Sequence, residues 1–338
     1  MSKKNVSIKE IAELSGVSVA TVSRVINNNG RFSEETKQKV LAVIAETNYE
    51  TNTVAKSLRM KKSNTIGILV PDISNAFFSS LVGKLERHLF EQGYSTIICN
   101  TNRNREKEVS YLNVLESKMI DGLIVISGQK EFTWGNRNRK IPIVCIDRKP
   151  QSGEDVVLIH SDNYQGGIVA TEALVQSGCK RIALLANRLT MSSFKFREEG
   201  FSDTLKKHQL PNEASNYIEV PPLGELSHTE AAKLELLKRF QAGQKYDGIF
   251  ALNDRLAIGA IEAALAFGLK IPEDIRIVGF DNDPISKYCY PKLTTVKQNT
   301  TELAQRAGIA LLSLIEEDTV DEKLHVVPIE LIKRGTTL

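Results

Sequence analysis

The 338-residue chain is predicted to be an α/β protein: an all-α helix-turn-helix head and hinge helix, then two parallel α/β lobes. Three observations predict this. Short amphipathic helix patterns, each with its own start signal, crowd the first 50 residues. From Thr65 the pattern changes to continuous apolar runs alternating with helical stretches, as buried parallel strands with crossover helices require. That alternation then occurs a second time, which makes two sheets more economical than one.

In the head, Ser7 and Glu10 are spaced as a capping box, and Ile8, Ile11, Ala12 and Ser15 share one helical face. Gly16 suits a tight turn because it tolerates positive φ. Ser18 is the predicted N-cap of a second helix whose inward stripe is Val22, Val25 and Ile26. Val19, Ala20, Thr21, Ser23 and Arg24 are left on its surface, free to meet a base edge or a phosphate. A third helix is expected from Ser33, burying Val40, Leu41 and Ile44. Residues 51–63 are basic, with Val54, Ala55 and Leu58 on one helical face; so short a helix is marginal in water and reads as a linker until it meets a partner.

The first series places strands near Thr65–Val70, Tyr94–Cys99, Gly122–Ser127 and Pro142–Ile146, with a helix over Ala76–Gln92. The second begins near Val156 and has apolar runs at Arg181–Ala186, Gly248–Leu252 and Ile275–Phe280. Lys118–Ile124 and Lys245–Phe250 are weakly similar and hold corresponding places in the two series. The expected domains are 1–50 for the head, 51–63 for the linker and 64–338 for the body. Lobe 1 takes about 64–162 and 294–322; lobe 2 takes about 163–291 and 323–338, so the chain crosses between lobes several times.

Charge separates head from body. Through Lys62 there are 11 Lys and Arg against 6 Glu and no Asp, whereas the rest has 33 basic and 35 acidic residues. A basic head on a near-neutral body is the expected pattern when only the head meets phosphates. Cys99, Cys145, Cys179 and Cys289 are scattered without metal or disulfide spacing, and no apolar run at the N-terminus or elsewhere suits export or a bilayer. The expectation is a cytoplasmic, nucleoid-associated protein with no membrane partner and no cofactor. Nucleophile-elbow, phosphate-loop and dinucleotide glycine motifs are absent, and the five histidines form no ligand-spaced pair, which argues against an enzyme and against a metal site. A sugar carrier without nucleic acid is a second alternative, discriminated by deleting residues 1–60.

Ligands of open parallel sheets bind beyond the carboxyl ends of the strands. Asn75, Phe77 and Phe78 follow the first strand, Asp147 and Arg148 a later one, and Asn253, Asp254 and Asp281 follow strands of the second series. Carboxylates, a guanidinium, amides and phenyl faces suit a polyhydroxylated ligand, since charged groups engage paired hydroxyls and a ring covers the apolar side of a sugar. Asp147 and Asp281 have an alternative reading as caps of helices or turns. Phe77 and Phe78 diverge by roughly 100° on a helix, so one is expected over the ligand and the other in the core. The stretch from Arg103 to Val109 reads as a solvated helix start.

Head, basic linker and two-lobed body together resemble the lactose-repressor and galactose-repressor (LacI/GalR) family of bacterial transcription factors. The likeness rests on Ser18–Asn27, Asn52–Leu58, Pro71–Asn75 and Gly279–Asn282, and the lobes are similar to periplasmic binding proteins. The resemblance implies that Val19 and Ala20 face base edges, that Arg24 reads a base, and that Ser18, Thr21, Ser23 and Asn27 hold the DNA backbone. It also implies a hinge helix formed by Asn52, Val54, Ala55 and Leu58 only on the operator, with Leu58 wedged into the minor groove. For the cleft it implies that Asn75, Phe77, Phe78, Asp147, Arg148, Arg197, Asn253, Asp281 and Gln298 contact an effector, as in the ribose-binding group; Arg197 has the alternative of a structural ion pair. One departure is the lack of an aromatic near Leu223. The sucrose-regulator branch shares Ser161–Gly167 and Gly93–Asn100, so ribose or a similar monosaccharide ranks first and sucrose or a hexose second. The partners implied are double-stranded operator DNA, a sugar effector and a second copy in a homodimer, with a phosphoprotein corepressor as a further partner of some relatives. No leucine heptads follow Gly335, which favours a dimer over a tetramer.

Overall fold

A computed structural model describes residues 6–47, 49, 62–127, 131–134, 139–151, 156–187, 192–221, 226–317, 319–320 and 322–337. The chain separates into two compact units, residues 1–63 and 64–338.

The head has three helices: α1 (Ile8–Ser15), α2 (Val19–Ile26) and α3 (Glu34–Thr47). The Ser7–Glu10 capping box forms, Ser7 backbone N donating to Glu10 Oε2 at 2.7 Å. Gly16 turns the chain at φ 67°, and Ser18 Oγ accepts from Thr21 backbone N at 3.1 Å. Ile11, Ala12, Val22, Val25 and Val40 make the core, with Ile8, Ile26, Val43 and Ile44 packed around it. Leu41 is the exception: it is 46% exposed, and Val43 packs against the core instead.

Residues 64–338 contain two six-stranded sheets. The first runs in the order β13 (Leu324–Val327), β7 (Val157–Ser161), β5 (Ile143–Ile146), β3 (Gly122–Ile126), β1 (Thr65–Val70), β2 (Ser95–Asn100), every pair parallel. The second runs β14 (Ile329–Ile332), β12 (Thr294–Gln298), β11 (Arg276–Asp281), β10 (Gly248–Ala251), β8 (Ile182–Asn187), β9 (Tyr217–Val220), parallel except for antiparallel β14. Helices α4 (Ala76–Glu91), α5 (Arg105–Ser117) and α10 (Thr300–Glu316) serve the first sheet; α6 (Asn163–Gln176), α7 (Ser192–Lys207), α8 (His228–Gln241) and α9 (Asp254–Ala266) serve the second. Helices on both faces are why β1, β3, β5 and β10 are almost wholly buried and read as unbroken apolar runs. A two-stranded pair, β4 (Glu131–Phe132) with β6 (Lys149–Pro150), lies beside the first sheet.

The first crossing falls after Ser161, beside the expected end of lobe 1 near 162, although the second series, as read from the sequence, opens near Val156; the later two are shifted. Val157–Ser161 completes the first sheet rather than opening the second, β12 belongs to the second sheet, and β13 returns to the first. The chain therefore passes between lobes after Ser161, after Gln298 and after Val327. The two similar segments do the same work in each sheet. Asp121 Oδ2 accepts from Asn64 backbone N at 2.7 Å, and Asp247 Oδ1 from Arg181 backbone N at 2.7 Å, each acid pinning the entry to a neighbouring strand.

Candidate functional site

A cavity opens at the carboxyl ends of both sheets, as the strand polarity demands. Its space, including that open to solvent, is about 370 Å³, and its lining contains Asn75, Phe77, Phe78, Asp147, Arg197, Asn253, Asp281 and Gln298. Eight of the nine side chains expected in the cleft are thus brought together from elements up to 223 residues apart in sequence. Asn75 and Asn253 also cap α4 and α9, their Oδ1 atoms accepting from Phe77 and Leu256 backbone N at 2.9 and 3.0 Å. Phe77 and Phe78 meet edge to face at 5.3 Å, and both line the cavity instead of dividing between ligand and core.

Arg148 is the ninth, and its side chain leaves the cleft. Its Nη1 and Nη2 donate to Glu108 Oε2 and Oε1 at 2.8 and 2.9 Å, in an ion pair that is almost wholly buried. Phe132 lies against the guanidinium with its centroid 5.2 Å away. The physical reason is the left-handed turn at Asp147 (φ 51°) just beyond β5, after which Arg148 faces Glu108 on α5 while Asp147 faces the cleft.

A polar circuit crosses between the lobes. Asn163 Nδ2 donates to Asp147 Oδ1 at 3.0 Å, and Arg197 Nε donates to Asn163 Oδ1 at 2.8 Å. Arg197 Nη1 donates to the Leu252 carbonyl and stands 3.8 Å from Asp281 Oδ1. Gln298 Nε2 donates to that same Asp281 oxygen at 2.7 Å, and Ser161 Oγ donates to Gln298 Oε1 at 2.7 Å. The Arg197 guanidinium lies 3.5 Å from the Phe280 centroid, so its position is over-determined.

Electrostatics follow from three buried carboxyls sharing one guanidinium. Burial pushes Asp281 up to about 7, with Arg197 and the Gln298 hydrogen bond opposing. Burial also raises Asp147, again against Arg197. Asp254, beneath the cleft, is raised well above the ordinary carboxylate range by burial and by its neighbour Asp281, though Thr295 Oγ1 donates to it at 2.6 Å. Near neutral pH such a cluster can present both donors and acceptors, which is what sugar hydroxyls need.

Four lining residues escaped the sequence reading: Arg103, Ser127, Ser193 and Phe194. Phe194 gives the second lobe the aromatic that is missing near Leu223, a position outside the described residues. The stretch expected as a solvated helix start is divided: Asn104 caps α5, whereas Arg103 is half-buried in the cavity wall. Backbone strain marks two of these four, Arg103 and Ser127, together with the expected Asp147 and Asp281. Arg103, Ser127, Asp147 and Asp281 have φ of 57°, 35°, 51° and 108°, and such conformations concentrate at binding sites.

In the head, Ser18, Val19, Ala20 and Arg24 are exposed, while Thr21, Ser23 and Asn27 are half-buried. Asn27 Nδ2 donates to the Ser23 carbonyl at 2.7 Å, closing the end of α2. Asn52, Val54, Ala55 and Leu58 lie outside the described residues. Among the described residues no helix is long and apolar enough to cross a membrane, and no group of three or more His, Cys, Asp or Glu could hold a metal ion.

A capped three-helix head of helix-turn-helix type and a two-sheet body with a polar cleft define a ligand-responsive DNA-binding regulator. Residues 7–52 match the bacterial regulatory proteins of the lacI family, and residues 171–337 match the periplasmic binding protein-like domain. The ribose operon repressor of Halalkalibacterium halodurans is 36% identical over 334 residues, covering 98% of this chain and 97% of that one. The sucrose operon repressor of Pediococcus pentosaceus is 34% identical over 336 residues, covering 97% and 98%. The lac repressor dimer, solved bound to operator and the anti-inducer ONPF, superposes with a TM-score of 0.87 at 28% identity, covering 99% of this chain and 100% of that one. A LacI family transcriptional regulator from Enterococcus faecium with bound ribose gives 0.69 at 30% identity, covering 81% and 98%. The chain belongs to the lacI family of bacterial regulatory proteins.

Proposed function

We propose that this protein is a homodimeric repressor of a sugar-utilisation operon whose grip on operator DNA is set by a monosaccharide, ribose or a close relative, held in the cleft. The observation that carries the reading is the cavity itself. Two carboxyls, two guanidinium groups and three amides converge with three phenyl rings on one cavity, the mix of polar and aromatic groups that a sugar requires. Sucrose is the second reading, which rests on the sucrose operon repressor being nearly as similar as the ribose one.

In this reading a two-fold dimer presents two α2 helices to a pseudo-palindromic operator, as two-fold proteins match two-fold sites. Val19, Ala20 and Arg24 meet base edges, and Ser18, Thr21, Ser23 and Asn27 the backbone. Asn52, Val54, Ala55 and Leu58 form the hinge helix that wedges the minor groove. Asn75, Phe77, Phe78, Asp147, Arg197, Asn253, Asp281 and Gln298 hold the sugar. The Asp147–Asn163–Arg197–Asp281 circuit passes from one lobe to the other, so filling it biases one lobe arrangement. A preference of about 1–3 kcal/mol between arrangements suffices for the coupling. Relief of repression by the sugar is the expected direction.

The test is a calorimetric titration of the full chain with ribose, other pentoses and sucrose, paired with operator gel shifts with and without each sugar. Ribose should bind most tightly and change operator affinity about 5- to 150-fold. Absence of any saccharide signal, with operator binding intact, would exclude the sugar reading.

A further inference from the structure

Asp281, the carboxyl that ends the polar circuit on the second lobe, stands on a backbone that needs outside support. It is the final residue of β11, whose pairing with β10 stops at Val278; only β12 reaches it, Lys297 lying opposite. Its φ is 108°, and Asn282 follows at 55°. Two successive non-glycine residues with positive φ persist only where their surroundings over-determine them.

Those surroundings can be named atom by atom. Asn282 backbone N donates to Thr295 Oγ1 at 3.3 Å, and Asp283 backbone N donates to Asp254 Oδ2 at 2.7 Å. Asp254 comes so near β11 only because residue 279 is glycine: a Cβ there would lie 2.2 Å from Asp254 Oδ1. The third hold comes from the segment after β14. Arg334 backbone N donates to Thr294 Oγ1 at 2.8 Å, and Thr336 Oγ1 donates to the Ile277 carbonyl at 2.6 Å, which fixes this segment against β11 and β12. From that anchored backbone the half-buried Arg334 side chain reaches over residues 282–293. Its Nη2 donates to Asn282 Oδ1 at 2.7 Å, and its Nη1 donates to the Leu293 carbonyl at 2.7 Å and to Ser286 Oγ at 3.1 Å. Ser286 Oγ in turn donates to the Asp283 carbonyl at 2.7 Å.

The rigid guanidinium fork thus delivers three charge-assisted bonds in one fixed geometry to a single loop. Leu293 and Ser286 would be enough to seal that loop. The bond to Asn282 does something more, because it acts on the residue whose left-handed turn sets where Asp281 points.

We propose that Arg334 is a positioning residue for the effector: through Asn282 it fixes the turn that aims the Asp281 carboxyl into the cleft. It lies outside the cavity lining and 52 residues beyond Asn282. The proposal goes beyond the sugar reading and rests on it for the role of Asp281.

The test is calorimetry with ribose on the full chain, for the parent, Arg334→Met, Asn282→Ala and the double variant. Each single variant should bind ribose about tenfold more weakly, the factor that one charge-assisted hydrogen bond supplies. The double should be no weaker than Asn282→Ala alone, because both changes delete the same bond. Arg334→Met binding ribose within twofold of the parent overturns the proposal, as do effects that multiply in the double. A second readout needs no sugar: carbon-13 titration of the Asp281 carboxyl, its signal identified by its loss in Asp281→Asn. In the parent it should titrate at about 7. In either single variant the midpoint should fall toward the ordinary carboxylate range as the freed turn lets the carboxyl reach water. Arg197, Asp147, Asp254, Asp283 and Gln298, which face it, are unchanged in these variants. A midpoint that stays in place overturns the proposal, and Asn282→Ala, which spares the bonds to Leu293 and Ser286, decides this if Arg334→Met does not fold. If the parent binds no ribose while still gripping operator DNA, the sugar reading fails instead, and the titration still decides whether Arg334 holds Asp281.

Discussion

Replacing Arg148 with Met tests what this arginine is for. In the structure both its terminal nitrogens are spent on Glu108, and the two side chains are only 2% and 8% exposed. Arg148→Met keeps much of the apolar stem against Phe132 but strands a buried carboxylate. Breaking a buried pair from one side costs about 3–5 kcal/mol, whereas replacing both partners with apolar side chains is near neutral or stabilising. The single variant should therefore lose about 3–5 kcal/mol, and Arg148→Met/Glu108→Leu should recover it. Trp134, the chain's one tryptophan, is buried in the same cluster as Phe132 and reports unfolding of that lobe in urea. With a slope near 3 kcal/mol per molar, the single variant's midpoint should fall by ~1 M or more. A loss under about 1 kcal/mol, or a double variant as weak as the single, would refute the assignment to the ion pair. The same double variant settles the functional question. If it folds and binds sugar, Arg148 serves only the framework behind Asp147; if it folds and fails to bind, the arginine reaches the ligand after all.

Asp281 predicts a pH signature. Its carboxyl sits at about 7 in the folded chain against ~3.9 unfolded, so the folded state holds the extra proton between those values and stability falls as pH rises through that window. The melting temperature of Asp281→Asn relative to the parent should accordingly climb from pH 5 to 8, and a flat difference would count against the burial argument. Gly167→Ala should destabilise by about 1–3 kcal/mol and weaken sugar binding, because a Cβ there would lie 2.2 Å from the Arg197 carbonyl oxygen, which is backbone and cannot swing aside; an unchanged melting curve and titration would contradict this. Arg24→Ala removes an exposed cation from α2 and should cost about 1–3 kcal/mol of operator affinity while sparing the sugar titration. Equal gel shifts would remove Arg24 from the reading surface.

What the chain's own order of residues determined is the part governed by local physics. Capping serines and glycine at Gly16 set the head, and unbroken Val, Ile and Leu runs announced strands covered on both faces. The rule that ligands gather beyond strand ends located most of the cleft. Gly122 and Gly248 even marked equivalent strand starts, because each follows an aspartate that pins a neighbour. Tertiary structure alone decided the rest. Whether Arg148 turns to the cleft or to Glu108 depends on an acid 40 residues away, and Arg103 became a wall of the cavity through a left-handed backbone that no periodicity encodes. Phe194 supplied from a helix the second-lobe ring that the loop near Leu223 lacks. The lobe crossings moved because β12 and β13 find partners in opposite sheets, a choice made by long-range pairing. Local propensity acts within a few residues, whereas the direction of a side chain and the charge of its neighbours are set by whatever the fold brings beside it.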